Sequence, residues 1–254
     1  MAPSDRLLRL EDPVGDFPFY NGAPVALSTR GWCAVMAGVV AGFAALMWPV
    51  AWPGGPLGAM IPAILFVAIP LAMLARAAPG HWRALFGRVG WRELRLMVGL
   101  ALLNIAITLS VGVFVQTFAE VSSNAAAAQL ADMGTGERIA FFAKTLPQLL
   151  GEELVTVLPF LLVLTLLTQR AGVGRRGAVV GAWLVSSLLF GLLHLPTYDW
   201  NWVQCIAIIG TARIVLTLGW ILTKNIWVST GAHVINDWLL FTVGLVGAGL
   251  AAQT

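Results

Sequence analysis

Seven apolar runs dominate the chain, near residues 32–52, 56–76, 96–118, 141–168, 178–198, 201–223 and 226–250. A helix needs about 20 residues to cross a hydrocarbon layer of about 30 Å, and each run is of that order. Backbone N–H and C=O groups in lipid must pair internally, which helices achieve and open sheets do not. The expected fold is therefore all-α, a polytopic transmembrane helix bundle of about seven spans, within a range of six to eight. Composition agrees. Of 254 residues, 59% are hydrophobic and 11% charged, against about 25% charged in a soluble domain. A water-exposed surface with so few charges would aggregate.

The net charge of +3 does not indicate a nucleic-acid partner, because the basic residues sit in short segments between apolar runs and so report topology. With the N-terminus in the cytoplasm, the inner segments hold Arg6, Arg9, Arg30, Arg76, Arg83, Arg88, Arg92, Arg95, Arg170, Arg175, Arg176 and Lys224, twelve of the fifteen Lys and Arg. Arg138 falls in an outer loop, Lys144 at the outer end of the fourth span and Arg213 inside a span. The outer loop 119–138 also carries Glu120, Asp132, Glu137 and the low-complexity run Asn124–Gln129. The expected location is a bacterial cytoplasmic (inner) membrane, multi-pass, with Gln253–Thr254 outside. Residues 1–30 read as a cytoplasmic N-terminal tail and 31–254 as one transmembrane domain without repeats. Residues 77–95, rich in Arg and Trp, read as an interfacial amphipathic helix. Cys33 and Cys205 lie in apolar stretches with neither disulfide nor metal spacing.

An ionisable side chain at mid-bilayer costs about 3 kcal/mol on insertion scales, so each one in a span needs a reason. The first half of the apolar sequence has almost none. The second half has Glu152, Glu153, His194, Arg213, His233 and Asp237, accompanied by Lys144, Gln148, Gln204 and Asn236. Adjacent helical positions diverge by about 100°, so one Glu can face a cavity while the other meets a neighbouring helix. Pro147 and Pro159 bracket the pair and predict a kinked or locally unwound helix. His233 and Asp237 share a helix face, with Asn236 beside it. Bland roles compete: Glu152 and Glu153 as structural partners of Arg213, His194 as an interfacial residue at a helix end, His233 and Asp237 as a self-satisfied pair. Counted along straight helices, Glu152 lies near mid-membrane, His233 toward the inner side and His194 toward the outer.

Three motifs occur in order: Glu152-Glu153, then Phe190 to His194 as F-x-x-x-H, then His233 to Asp237 as H-x-x-x-D. Together they resemble the CPBP family of intramembrane proteases, which includes the CAAX prenyl proteases and bacterial relatives linked to peptide processing and bacteriocin immunity. The resemblance covers about residues 140–245. It implies an intramembrane endopeptidase in which Glu152 activates a water, His194 helps hold it, and His233 with Asn236 or Asp237 stabilises the oxyanion. Glu153 belongs to the same catalytic set, and Phe190 and Arg213 support it. Where the family pattern E-E-x-x-x-R has arginine, this chain has Val157. Arg213, a guanidinium inside a span, needs an acid and is expected to reach the Glu152–Glu153 region in its place, with Asp237 or an interface as the alternatives.

The resemblance implies no cofactor. Two histidines and a carboxylate are also a hydrolytic zinc donor set, although no H-E-x-x-H spacing is present. Expected partners are the lipid bilayer and a membrane-embedded or membrane-associated peptide or protein substrate, with a membrane-protein complex as a further option. The competing functions are a catalytically inactive CPBP-like scaffold or assembly subunit, which Val157 favours, and a transporter or proton-coupled channel. If the site is real, Glu152 or Glu153, His194 and His233 must line one polar cavity.

Overall fold

The computed structural model describes residues 6–12, 15–50, 52, 53, 55, 58–122, 129, 130 and 132–251. Residues 124–128 of the low-complexity run and Gln253–Thr254 lie outside these residues. The described residues form helices α1 (Thr29–Met47), α2 (Met60–Ala77), α3 (Trp91–Gln116), α4 (Thr135–Gln169), α5 (Arg175–Leu193), α6 (Gly210–Thr223, entered through a π-helical turn Gln204–Ile209) and α7 (Ile226–Ala251). Helices α1 to α5 and the combined helix Gln204–Thr223 are long and apolar enough to cross a membrane. Helix α7 has 26 residues, the length of α3. The chain is thus an all-α membrane protein, as its apolar runs require.

Helix starts follow local chemistry. Ser28 Oγ accepts the Gly31 N–H at 3.1 Å. The Glu93 and Glu137 carboxylates accept the N–H groups of Gly90 and Gly134 at 2.9 and 2.8 Å, which also places negative charge at the positive ends of α3 and α4. Residues 77–95 do not form one amphipathic helix. They make a short 3₁₀ turn, Trp82–Leu85, and an extended piece that leads into α3. Asn225 holds that piece extended, accepting from Gly87 N–H and donating to the Arg88 carbonyl at 2.9 and 3.0 Å. Helix α4 runs unbroken through Pro147 and Pro159. The irregular helical geometry lies instead at Gln204–Ile209.

At 35 residues, or about 50 Å, α4 is the central element, packed on α1, α2, α5 and α7, while α3 lies against α6 and α7. Gly151 permits the closest approach to α2, since a Cβ there would sit 2.3 Å from the Phe66 ring. Gly219 does the same for α6 on α7, where a Cβ would meet the Ser229 backbone at 2.9 Å. Small residues at crossings are how helices approach closely in lipid.

The N-terminal segment is part of the core. Phe17 and Phe19 are 1% and 0% exposed, and the Phe17 ring lies 5.2 Å from Phe160 and 6.0 Å from Trp220. The Asp12 N–H donates to the Leu222 carbonyl at 2.8 Å, and Gln169 donates to the Tyr20 carbonyl. Arg175 pairs with Asp16 at 2.8 Å and with Glu11, which also meets Lys224 at 2.8 Å. This strap covers one end of the bundle, called here the basic end.

Candidate active site

Glu153 is fixed first. Its side chain is 1% exposed, and Arg213 from α6 grips it with two parallel bonds, Nη1 to Oε1 at 2.7 Å and Nη2 to Oε2 at 3.0 Å. His233 from α7 donates Nδ1–H to Oε1 at 2.9 Å. The Arg213 Nε reaches Thr217 Oγ1 at 3.2 Å, and the guanidinium lies 4.8 Å from the Phe190 ring centre. A bidentate charged pair is the arrangement that offsets burying both ions. Arg213 thus meets the acid one helical position from Glu152, while Val157, one turn along α4, is fully buried in the apolar core.

Glu152 points the other way and lines a cavity of about 470 Å³, together with Gln148, Phe190, His194, His233, Asn236 and Asp237. Glu153 is not among the lining residues. The Glu152 side chain is 14% exposed, accepts from Gln148 Nε2 at 3.2 Å, and has Oε2 3.8 Å from His233 Nε2. The last spacing exceeds a direct hydrogen bond. His194 donates Nδ1–H to the Phe190 carbonyl at 2.8 Å, so its neutral ring keeps an acceptor lone pair on Nε2. Phe190 packs against both histidines, with ring centres 4.5 Å from His194 and 6.2 Å from His233.

The separation in depth expected between the histidines is absent, for a physical reason. The turn between α6 and α7 does not reach the surface: Lys224 and Asn225 are 9% and 3% exposed, covered by Glu11 of the strap and by Gly87 and Arg88. Helix α7 therefore starts deep, and two turns bring His233 level with Glu153.

Asp237 and Asn236 complete the far wall. Asp237 Oδ1 lies 3.7 Å from His233 Nε2 and accepts from Asn236 Nδ2 at 2.9 Å. An ionised carboxylate only accepts, so Asn236 must turn its amide nitrogen to Asp237 and its oxygen away. That oxygen takes a 2.9 Å bond from Asn104 Nδ2 of α3. Asn104 is 1% exposed and lines the cavity, and it is absent from the sequence-derived set. Gln148, Gln204 and Asn236 stand out beside ionisable residues, whereas Asn104 lies in the third apolar run, 96–118, apart from them, although an asparagine inside such a run was a legible signal. For the zinc alternative, no group of three or more His, Cys, Asp or Glu among the described residues is arranged to hold a metal ion.

Residues 136–239, from the start of α4 to the middle of α7, match the family described as type II CAAX prenyl endopeptidase Rce1-like. Neither the curated proteins nor the solved structures give a match. The family match agrees with the resemblance carried by the three motifs.

Proposed function

We propose, from the premise that residues 136–239 form an Rce1-like, CPBP-type segment, that this membrane protein is an endopeptidase whose base is Glu152. The supporting observation is the division of labour between adjacent carboxylates. Glu153 is neutralised by Arg213 and His233, while Glu152 faces the cavity beside His194 and His233. In this reading the peptide carbonyl lies beside a water held between Glu152 and His194 Nε2. The water oxygen adds to the carbonyl carbon and its proton passes to Glu152. His233 Nε2–H, held in place by Glu153, and the Asn236 amide donate to the tetrahedral oxyanion. Collapse breaks the C–N bond, and the proton on Glu152 passes to the leaving amine nitrogen. General base help contributes typically 10²–10⁴-fold, and preorganised oxyanion donors a comparable factor.

Val157 favours a non-catalytic scaffold only while Glu153 lacks a cation, and Arg213 supplies one. The deciding experiment compares wild type with Glu152→Gln on a peptide library in detergent. The expected result is a loss of roughly 10³-fold or more in cleavage with an unchanged melting temperature, because Glu152 sits in a cavity rather than in the packed core. Wild-type cleavage by Glu152→Gln would sink the proposal and leave the scaffold.

A further inference from the structure

The cavity belongs to one end of the bundle. Its walls come from Asn104 to Gln116 of α3, Phe141 to Glu152 of α4, Phe190 to Tyr198 at and beyond the close of α5, Gln204 to Leu216, and His233 to Phe241 of α7. Each stretch is the half of its helix, or the loop beyond it, that points away from the strap, except on α7, where it is the middle of the helix. Hydrogen bonds fix which ends lie together. At the strap end Arg170 donates to Thr29, Arg176 to the Arg6 carbonyl and Asn225 to the Arg88 carbonyl. At the opposite end Ser122 N–H and the Ser122 carbonyl pair with Gln204, and Asn201 donates to the Glu120 carbonyl.

The two ends differ in charge and in closure. The strap end carries Arg6, Arg9, Arg30, Arg76, Arg83, Arg88, Arg92, Arg95, Arg170, Arg175, Arg176 and Lys224. The cavity end carries Glu120, Asp132, Glu137 and Asp199 with Arg138 and Lys144. Twelve basic residues against two is a strong orienting bias, and it puts the strap end in the cytoplasm. That end is also sealed: Phe17 and Phe19 are buried in the core, and Glu11, itself 1% exposed, is clasped between Arg175 and Lys224.

We infer that the cavity is entered from the non-cytoplasmic face, so that its substrates are peptide segments displayed on, or anchored in, the outer side of the membrane. A peptide presented from the cytoplasm meets the strap instead of Glu152. The substrate class rests on the peptidase reading above, whereas the face of access does not.

The test separates the two. In a Cys33→Ser background, with Cys205 left buried, single cysteines replace Gln116 at the cavity mouth and Ala171 at the strap end. Spheroplasts expressing each variant are treated with a membrane-impermeant maleimide. In parallel, right-side-out and inverted vesicles receive an internally quenched peptide library with an impermeant lysine-rich tail, with Glu152→Gln as control. We expect Gln116→Cys to label in intact spheroplasts, Ala171→Cys only after permeabilisation, and Glu152-dependent cleavage at least 10-fold faster in right-side-out vesicles. The reverse labelling overturns the inference whatever the activity. Expected labelling with cleavage confined to inverted vesicles also overturns it. Expected labelling without Glu152-dependent cleavage in either preparation, or in detergent, overturns the peptidase reading and supports the outer opening alone.

Discussion

Replacing Arg213 by leucine leaves the Glu153 carboxylate in a dry core with only His233 as its partner. Removing one member of a buried ion pair costs about 3–5 kcal/mol, so Arg213→Leu should unfold at markedly lower temperature in detergent. Val157→Arg alone should also destabilise, by about 1–3 kcal/mol, because it overpacks a fully buried site. Combined, the new guanidinium lies one helical turn from Glu153, and the double variant should be more stable than the sum of the singles predicts. Strict additivity across the four proteins would remove the idea that Arg213 replaces a cation from α4. This pairing was legible in the sequence because a guanidinium inside an apolar run has few affordable partners. The Asn104–Asn236–Asp237 chain was not. Its polarity is set by an acceptor-only carboxylate on one helix and read out on another, which is information only the tertiary structure holds.

At the scale of elements, Gly151 sets where α4 lies against α2, one residue before the proposed base. Gly151→Ala drives a methyl into the Phe66 ring, itself 1% exposed and walled in by the core. The expected cost is about 1–3 kcal/mol of stability, with cleavage reduced further than stability explains because Glu152 moves with its helix. A variant with wild-type melting temperature and rate would show that the α2–α4 contact yields freely. The seven helices α1 to α7 of the described residues were foreseeable from length and hydropathy, with ends a few residues out, because an apolar run of about 20 residues in lipid pairs its backbone within itself only as a helix. Residues 77–95 were misjudged, since Arg and Trp at an interface mark depth but not conformation, and Asn225, far away in sequence, holds part of this stretch extended. The levels of His194 and His233 were also misjudged. Counting residues assumes that every turn reaches the surface, and the buried turn at Lys224 and Asn225 breaks that assumption.

For the whole molecule, the strap decides which end is shut. Burial pushes the carboxyls of Glu11 and Asp16 up, but hydrogen bonds from Arg175, and from Lys224 to Glu11, outweigh it and hold both below their ordinary range. A carboxylate depressed in the folded state adds stability that is full above its unfolded pKa and lost as pH falls through the folded one. Burial and the bond to Asp16 push Tyr20 up to about 12, so its contribution is lost only as pH rises through that value. The strap should therefore resist proteolysis from mildly acidic pH to about pH 10 and become cleavable in stronger acid. Release already near pH 6, read as cleavage within residues 6–20, would contradict this. The sequence showed a polar tail there but not its docking, because Phe17 and Phe19 find their pocket only among Phe160, Trp220 and the ends of α4 and α6. A well open at one end and stopped at the other also has an electrical meaning. Water inside it stays at the potential of the solution at its mouth, so a transmembrane voltage falls mainly across the sealed half. A charge carried through the full field changes energy by about 2.3 kcal/mol per 100 mV. Glu152, on the wet side of the seal, is spared most of that, and the bundle keeps ionisable groups deep in the bilayer while remaining an insulator.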